Sequence, residues 1–316
     1  MSSDVAGLLH KRLIFVTGKG GVGKTTITAA IGLAASHLGL HTLLVELGDR
    51  PEIPHLFGRS EIESDEAPVG LRENLFHLTL VPEVALREYL EIQLRVRSIV
   101  RLVLRNSGVR RLLEAAPGWR DLIRLGKLWH LETRSEGDAP RWDLLIVDAP
   151  ATGHGLTLFS IPDAVLETVR SGPLRRHAAA VQSLMHDPAR TSVLPVTLPE
   201  ELSARETVQL IESLEARQLK SCAALANAVH RAPASAELLA ALDQLDSSPP
   251  GLPDLDSMRA RLHDDLDRAK HENEWLGFVR DQVGICLELP RLEPGPKSLD
   301  GIEELAARIQ TAASPR

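Results

Sequence analysis

Residues 17–26 read TGKGGVGKTT, and the run from Gly18 to Thr25 has the spacing G-x-x-x-x-G-K-T. Gly18, Gly20, Gly21 and Gly23 have no Cβ, so the backbone around Val22 can turn tightly and aim successive N–H groups at phosphate oxygens. Lys24 is then placed to bridge β and γ phosphates. Thr25 offers a hydroxyl to Mg²⁺, and Thr26 can hydrogen-bond the α phosphate. The apolar run WDLLIVD ends at Asp148, an acid that can hold Mg²⁺ through water. Together these residues imply binding of ATP with Mg²⁺.

Lys19 is an addition that a plain phosphate loop does not need. The form K-G-G-x-G-K-[ST] resembles the deviant phosphate loop of the branch containing partitioning, division-site-selecting, nitrogenase-iron-protein and arsenical-pump ATPases. In that branch the first lysine reaches across a dimer to the other subunit's nucleotide, so the resemblance implies a nucleotide-sandwich dimer with Lys19 catalytic in trans. The alternative is an exposed loop lysine with no such role. After Asp148, the stretch DAPATGHG is similar to switch II of the arsenical pump-driving and tail-anchored-protein-targeting ATPases, usually D-T-A-P-T-G-H-T, with the proline one residue early at Pro150. The resemblance implies that Thr152, Gly153 and His154 respond to the γ phosphate; a lone histidine there is otherwise a capping or packing residue. VTLPEELSARETVQLIESL (196–214) is similar to the family's strand, P-E and helix element. ALANAV (224–229) is similar to its V-N strand end, which makes Asn227 the adenine reader. LELPRLEPGP (287–296) resembles the loop that closes over the base, and brings in Pro290. The resemblance spans nearly the whole chain.

Several departures bear on function. Where the family has a T-D-P aspartate that positions the attacking water, counting from the phosphate loop gives Gly48, with Glu46 and Asp49 the nearest acids. Related ATPases of the wider branch carry an acid two residues before the missing one, so the resemblance implies Glu46 as the catalytic substitute, positioning water or Mg²⁺-bound water; the alternative is that it only caps its strand and hydrolysis is slow. Cys222 and Cys286 lie far apart in sequence, so a clustered-thiolate metalloid site is not expected unless they meet in space. A CxxC zinc clasp and a Met-rich client-binding insertion are both missing from the sequence, which has three methionines. One ATPase unit is present. A composite dimer therefore needs a second chain, as homodimer or as heterodimer with a paralogous ATPase.

These residues need a scaffold that places strand ends side by side. In a chain of 316 residues with 43% apolar content, short β-branched runs alternate with helical patterns. Such alternation predicts an α/β fold: a mostly parallel sheet of about seven strands, covered by helices on both faces, in a single P-loop ATPase domain over 1–316. The expected strands are 12–17, 41–47, 75–80, 142–148, 192–198, 223–229 and 284–289, and the main helices 24–38, 84–106, 203–217 and 298–313. The interval 82–134 reads as a helical subdomain, while SEGDAP (135–140) and the proline- and serine-rich stretch 246–254 read as flexible. Within 94–111 six arginines stand without an acid, either a solvated helix face or a surface for an acidic, lipid or apolar partner. Net charge is −7, which argues against nucleic acid as a main partner. With no long apolar segment and two cysteines, a cytoplasmic protein is expected, with transient membrane association open. The function expected is a slow, Mg²⁺- and ATP-dependent dimeric switch acting on an unidentified protein partner or client. A non-hydrolysing regulatory subunit is the alternative, and a DNA-partitioning ATPase ranks below both.

Overall fold

The structure, a computed structural model, describes residues 5–47, 51–59, 67–94, 118–137, 139–230, 236–244, 254–292, 295 and 298–313. Its centre is an eight-stranded sheet. In chain order the strands are β1 (Leu13–Gly18), β2 (Thr42–Glu46), β3 (Val69–Arg72), β4 (Leu75–Thr79), β7 (Leu144–Asp148), β8 (Thr191–Thr197), β9 (Ala224–Val229) and β10 (Ile285–Pro290); a separate small hairpin holds β5 (Ser135–Glu136) and β6 (Ala139–Pro140). Across the sheet the order is β10-β9-β8-β1-β7-β2-β4-β3. All neighbours run parallel except β3 and β4.

The central strands are buried on both sides, and their alternation decides which core each residue joins. Ile14, Val16, Leu44, Ile146 and Leu194 face one core, whereas Leu13, Phe15, Leu43, Val45, Leu145 and Val147 face the other. Helices α1 (Val5–Leu9), α2 (Lys24–His37) and α11 (Leu299–Ala313) cover the first face. The second is covered by α5 (Trp119–Thr133), α6 (Thr152–Thr168), α7 (Pro173–His186) and α8 (Glu201–Ala216). Among the described residues the remaining helices are α3 (Ile53–Leu56), α4 (Pro82–Leu94), α9 (Ala236–Asp243) and α10 (Leu255–Gln282). Among the described residues no helix is long and apolar enough to cross a membrane.

All seven expected strands form, and two local features differ from expectation. The eighth strand, β3, is a short antiparallel edge joined to β4 through Glu73 and Asn74; Asn74 has φ 56°, a conformation asparagine tolerates. SEGDAP pairs Ser135 with Pro140 and Glu136 with Ala139 as a hairpin rather than staying irregular. Of the helical interval 82–134, α4 and α5 are described and pack on each other, with Leu125, Leu128 and Leu131 joining the sheet's own core. The arginine-rich stretch from residue 95 lies outside the described residues, as does 246–253. Asp254, which ends that second stretch, caps α10 by accepting from the Asp256 and Ser257 amides.

Candidate nucleotide site

The glycine loop joins the end of β1 to the start of α2. Gly18 (φ 150°) passes so close to β8 that a Cβ would lie 2.3 Å from the Val196 carbonyl oxygen. Gly23 (φ 91°) is held against β9, where a Cβ would meet the Asn227 Nδ2 at 2.5 Å. Two glycines are thus fixed by neighbouring strands. Gly20 and Gly21 are exposed, and no described atom lies within 4 Å of a Cβ added at either. Lys24 Nζ donates to the Lys19 carbonyl at 3.0 Å. Burial lowers the Lys24 pKa, and the Asp148 charge partly offsets this.

Thr25 Oγ1 donates to Asp148 Oδ2 at 2.7 Å, bringing together the two residues expected to serve Mg²⁺. Asp148 lies in register with Val16 on one side and Glu46 on the other. Its pKa is raised to about 6, chiefly by burial; the Thr25 hydrogen bond and Lys24 oppose the shift, while Glu46 and Glu52 add to it. Asp148 Oδ1 is buried with no hydrogen-bond partner among the described residues. A buried, orphaned carboxylate oxygen with an elevated pKa beside a threonine hydroxyl suits a hard divalent cation, so Thr25 and Asp148 fit Mg²⁺.

Glu46 is 5% exposed. Its Oε1 accepts from the Glu52 amide at 2.8 Å, and its Oε2 from the Ile53 amide at 3.2 Å. His77 Nε2 lies 2.7 Å from the same Oε2. The carboxylate thus braces the first turn of α3 as well as standing beside Asp148. Neither His77 nor Glu52 was singled out from sequence; the only signal was a histidine in the apolar run LFHLTL. Gly48 and Asp49 lie outside the described residues. Thr152, Gly153 and His154 open α6, and the side chains of Thr152 and His154 likewise lie outside what is described. The backbone carbonyl of Pro150 accepts from Thr17 Oγ1 at 3.2 Å, tying this turn to β1.

Beside the loop is a cavity of about 380 Å³, with Gly21, Val22, Gly23, Thr26, Asn227 and Pro290 on its walls. Asn227 Nδ2 donates to the Val22 carbonyl at 2.8 Å. That bond turns the amide so that Oδ1 remains as an acceptor. Glu272 of α10 also lines the cavity, unforeseen from sequence, and accepts from the His230 amide at 2.7 Å. Lys19 makes an ion pair with Glu206 of α8 at 3.6 Å, the two side chains being 31% and 33% exposed. Cys222 Sγ donates to the Val193 carbonyl at 3.4 Å, and the neighbouring Cys286 thiol together with burial pushes the Cys222 thiol upward. Both are free thiols, and among the described residues no group of three or more metal-ligating side chains forms around them.

A family model described as anion-transporting ATPase matches residues 11–172. ATPase BagA of Mycobacterium tuberculosis is 32% identical over 255 residues, covering 79% of this chain and 73% of the relative. The arsenical pump-driving ATPase of Escherichia coli is 28% identical over 268 residues, 77% of this chain and 45% of that protein. ATPase GET3 of Kluyveromyces lactis is 24% identical over 248 residues, covering 68% and 70%.

Proposed function

The chain belongs to the anion-transporting ATPase family and is an ATPase, and from that premise we propose that it works as a slow dimeric switch coupling nucleotide state to a protein partner or client. The observation that carries the nucleotide-binding part of this reading is the Thr25–Asp148 pair with its orphaned Oδ1 at the end of the glycine loop. In the proposed site, Gly18, Gly20, Gly21, Val22, Gly23 and Thr26 bind phosphates and Lys24 bridges β and γ. Asn227 and Pro290 hold the base. Mg²⁺ held by Thr25 and Asp148 would neutralise charge on the β and γ oxygens. Thr152, Gly153 and His154 would respond to the γ phosphate and re-pose α6. Within a single ATPase unit spanning 1–316, the helical interval 82–134 would carry the response outward.

Lys19 would leave Glu206 to reach the nucleotide of a second chain, either a copy or a paralogue. Glu46 is the residue proposed to position water, which requires loosening from His77. The free thiols accord with a reducing cytoplasm. The three contacts that occupy Glu46 also favour a second reading, a subunit that binds nucleotide without turning it over. Phosphate release from ATP by the purified chain separates the two. The switch reading expects slow turnover, abolished by Lys24→Ala and reduced by Glu46→Gln with ATP affinity retained. Nucleotide binding without turnover would establish the second reading instead.

A further inference from the structure

Away from the nucleotide site, α4, α5 and α7 line a partly open cavity of about 280 Å³. That is close to the lower end, roughly 300 Å³, of pockets that hold small molecules. The walls are mainly apolar, with Ala85, Leu122, Trp129, Leu174 and Val181 among them. Gly126, in the middle of α5, also faces this space. A glycine inside a helix destabilises it relative to alanine. No described atom lies within 4 Å of a Cβ added at Gly126, so close packing does not explain the residue. A side chain there would enter the cavity, and glycine keeps it open.

The polar groups of the cavity are arranged unevenly. Tyr89 and His177 meet edge to face with ring centroids 4.9 Å apart, and Trp129 is 5.8 Å from His177. Burial lowers the pKa of His177, and Arg176 lowers it further. Burial likewise lowers His130, assisted by Lys127 and Arg134 and opposed by Glu88. Burial raises Tyr89, with Arg176 opposing the shift. Near neutral pH both imidazoles are therefore uncharged and the phenol keeps its proton. Lys127 is neutralised by its ion pair with Glu88. Exposed Arg176, next to His177 on α7, adds a positive charge that acts on both Tyr89 and His177.

We propose that this cavity binds a small amphiphilic carboxylate, its apolar chain along Leu122, Trp129 and Val181 and over Gly126, its carboxylate at the Tyr89–His177–Arg176 end. Neutral hydrogen-bonding groups backed by a guanidinium complement an anion, and the apolar walls complement a medium-length chain. An organic cation would meet Arg176 with the wrong sign. The site shares no lining residue with the nucleotide cavity, so it stands independently of whether the chain hydrolyses ATP.

Calorimetric titration of the full chain with octanoate, and separately with octanol, tests this. Octanoate is expected to bind at one site about tenfold more tightly than octanol, with Arg176→Ala removing the difference. Gly126→Leu should abolish octanoate binding, and Gly126→Ala should weaken it less, while both keep ADP affinity as evidence of folding. If Gly126→Leu does not fold, Val181→Phe blocks the cavity from the opposite helix. Absence of octanoate binding to the native chain would overturn the proposal. So would equal binding of octanol, or undiminished octanoate binding to a folded, cavity-filled variant.

Discussion

Burial and the adjoining Glu46 carboxylate hold the Asp148 pKa at about 6, so at the proposed Mg²⁺ site a proton would compete with the cation close to neutral pH. Only the ionised form can take the cation. The Mg²⁺-dependent part of ATP affinity should therefore be level above about pH 7 and weaken about tenfold per unit below about pH 6. ATP titrations with and without Mg²⁺ measure this, and Asp148→Asn should lose the Mg²⁺ dependence at every pH. For the unliganded fold the sign reverses. With a native pKa above its ordinary value of 3.8, Asp148 binds more proton folded than unfolded, so its contribution to stability grows as pH falls from about 7 to about 4. Thermal unfolding without nucleotide should show that gain in the native chain and lose it in Asp148→Asn. Asp148 was legible because an acid ending an apolar run is a local pattern. The surroundings of Glu46 were not: His77 lies 31 residues away and meets it only through the pairing of β2 with β4.

Helix α2 supplies Lys24, Thr25 and Thr26 from its first turn, so its distance from the sheet sets where those side chains stand. Gly32 fixes that distance: a Cβ there would lie 2.4 Å from Leu44 Cδ2 and 3.1 Å from its Cγ, and Leu44 is fully buried in β2. Gly32→Ala gains about 1 kcal/mol of helix propensity but overpacks the core at a cost of about 1–3 kcal/mol. The net expectation is a loss of about 1 kcal/mol in denaturant unfolding and several-fold weaker ATP binding. Adding Leu44→Ala should restore the affinity, because it removes the atoms that push the helix away. An unchanged affinity in Gly32→Ala would mean that the loop is positioned without reference to this contact. The inner strands β1, β2, β7 and β8 are legible in the sequence because buried parallel strands are continuous apolar runs. Strand β3 is not, since VGLR is short, partly exposed and stabilised by its partner β4. The hairpin at 135–140 has no sequence signal for a similar reason, as two-residue strands leave no periodicity.

Dimer closure, if Lys19 acts in trans, must break the Lys19–Glu206 pair within each chain. Both side chains are about one-third exposed, so solvent screening limits the pair to less than about 1 kcal/mol. Glu206→Gln should accordingly favour the ATP-bound dimer in sedimentation by no more than about fivefold per broken pair. The sequence disclosed Lys19 through its extra place in the loop, but Glu206 only becomes its partner once α8 folds against the phosphate loop. Net charge adds a second expectation: two copies each carrying −7 repel at long range, and salt screens that repulsion beyond about 10 Å. A contact between Lys19 and phosphate at a desolvated interface is screened far less. ATP-dependent association should therefore strengthen as ionic strength rises from low to physiological values, the opposite of an association steered by unlike charges. Lys19→Ala should retain ATP binding while losing hydrolysis and the dimer. Full hydrolysis by Lys19→Ala, together with a monomer at every ATP concentration and salt level, would remove the trans role and leave Lys19 as a surface residue paired with Glu206.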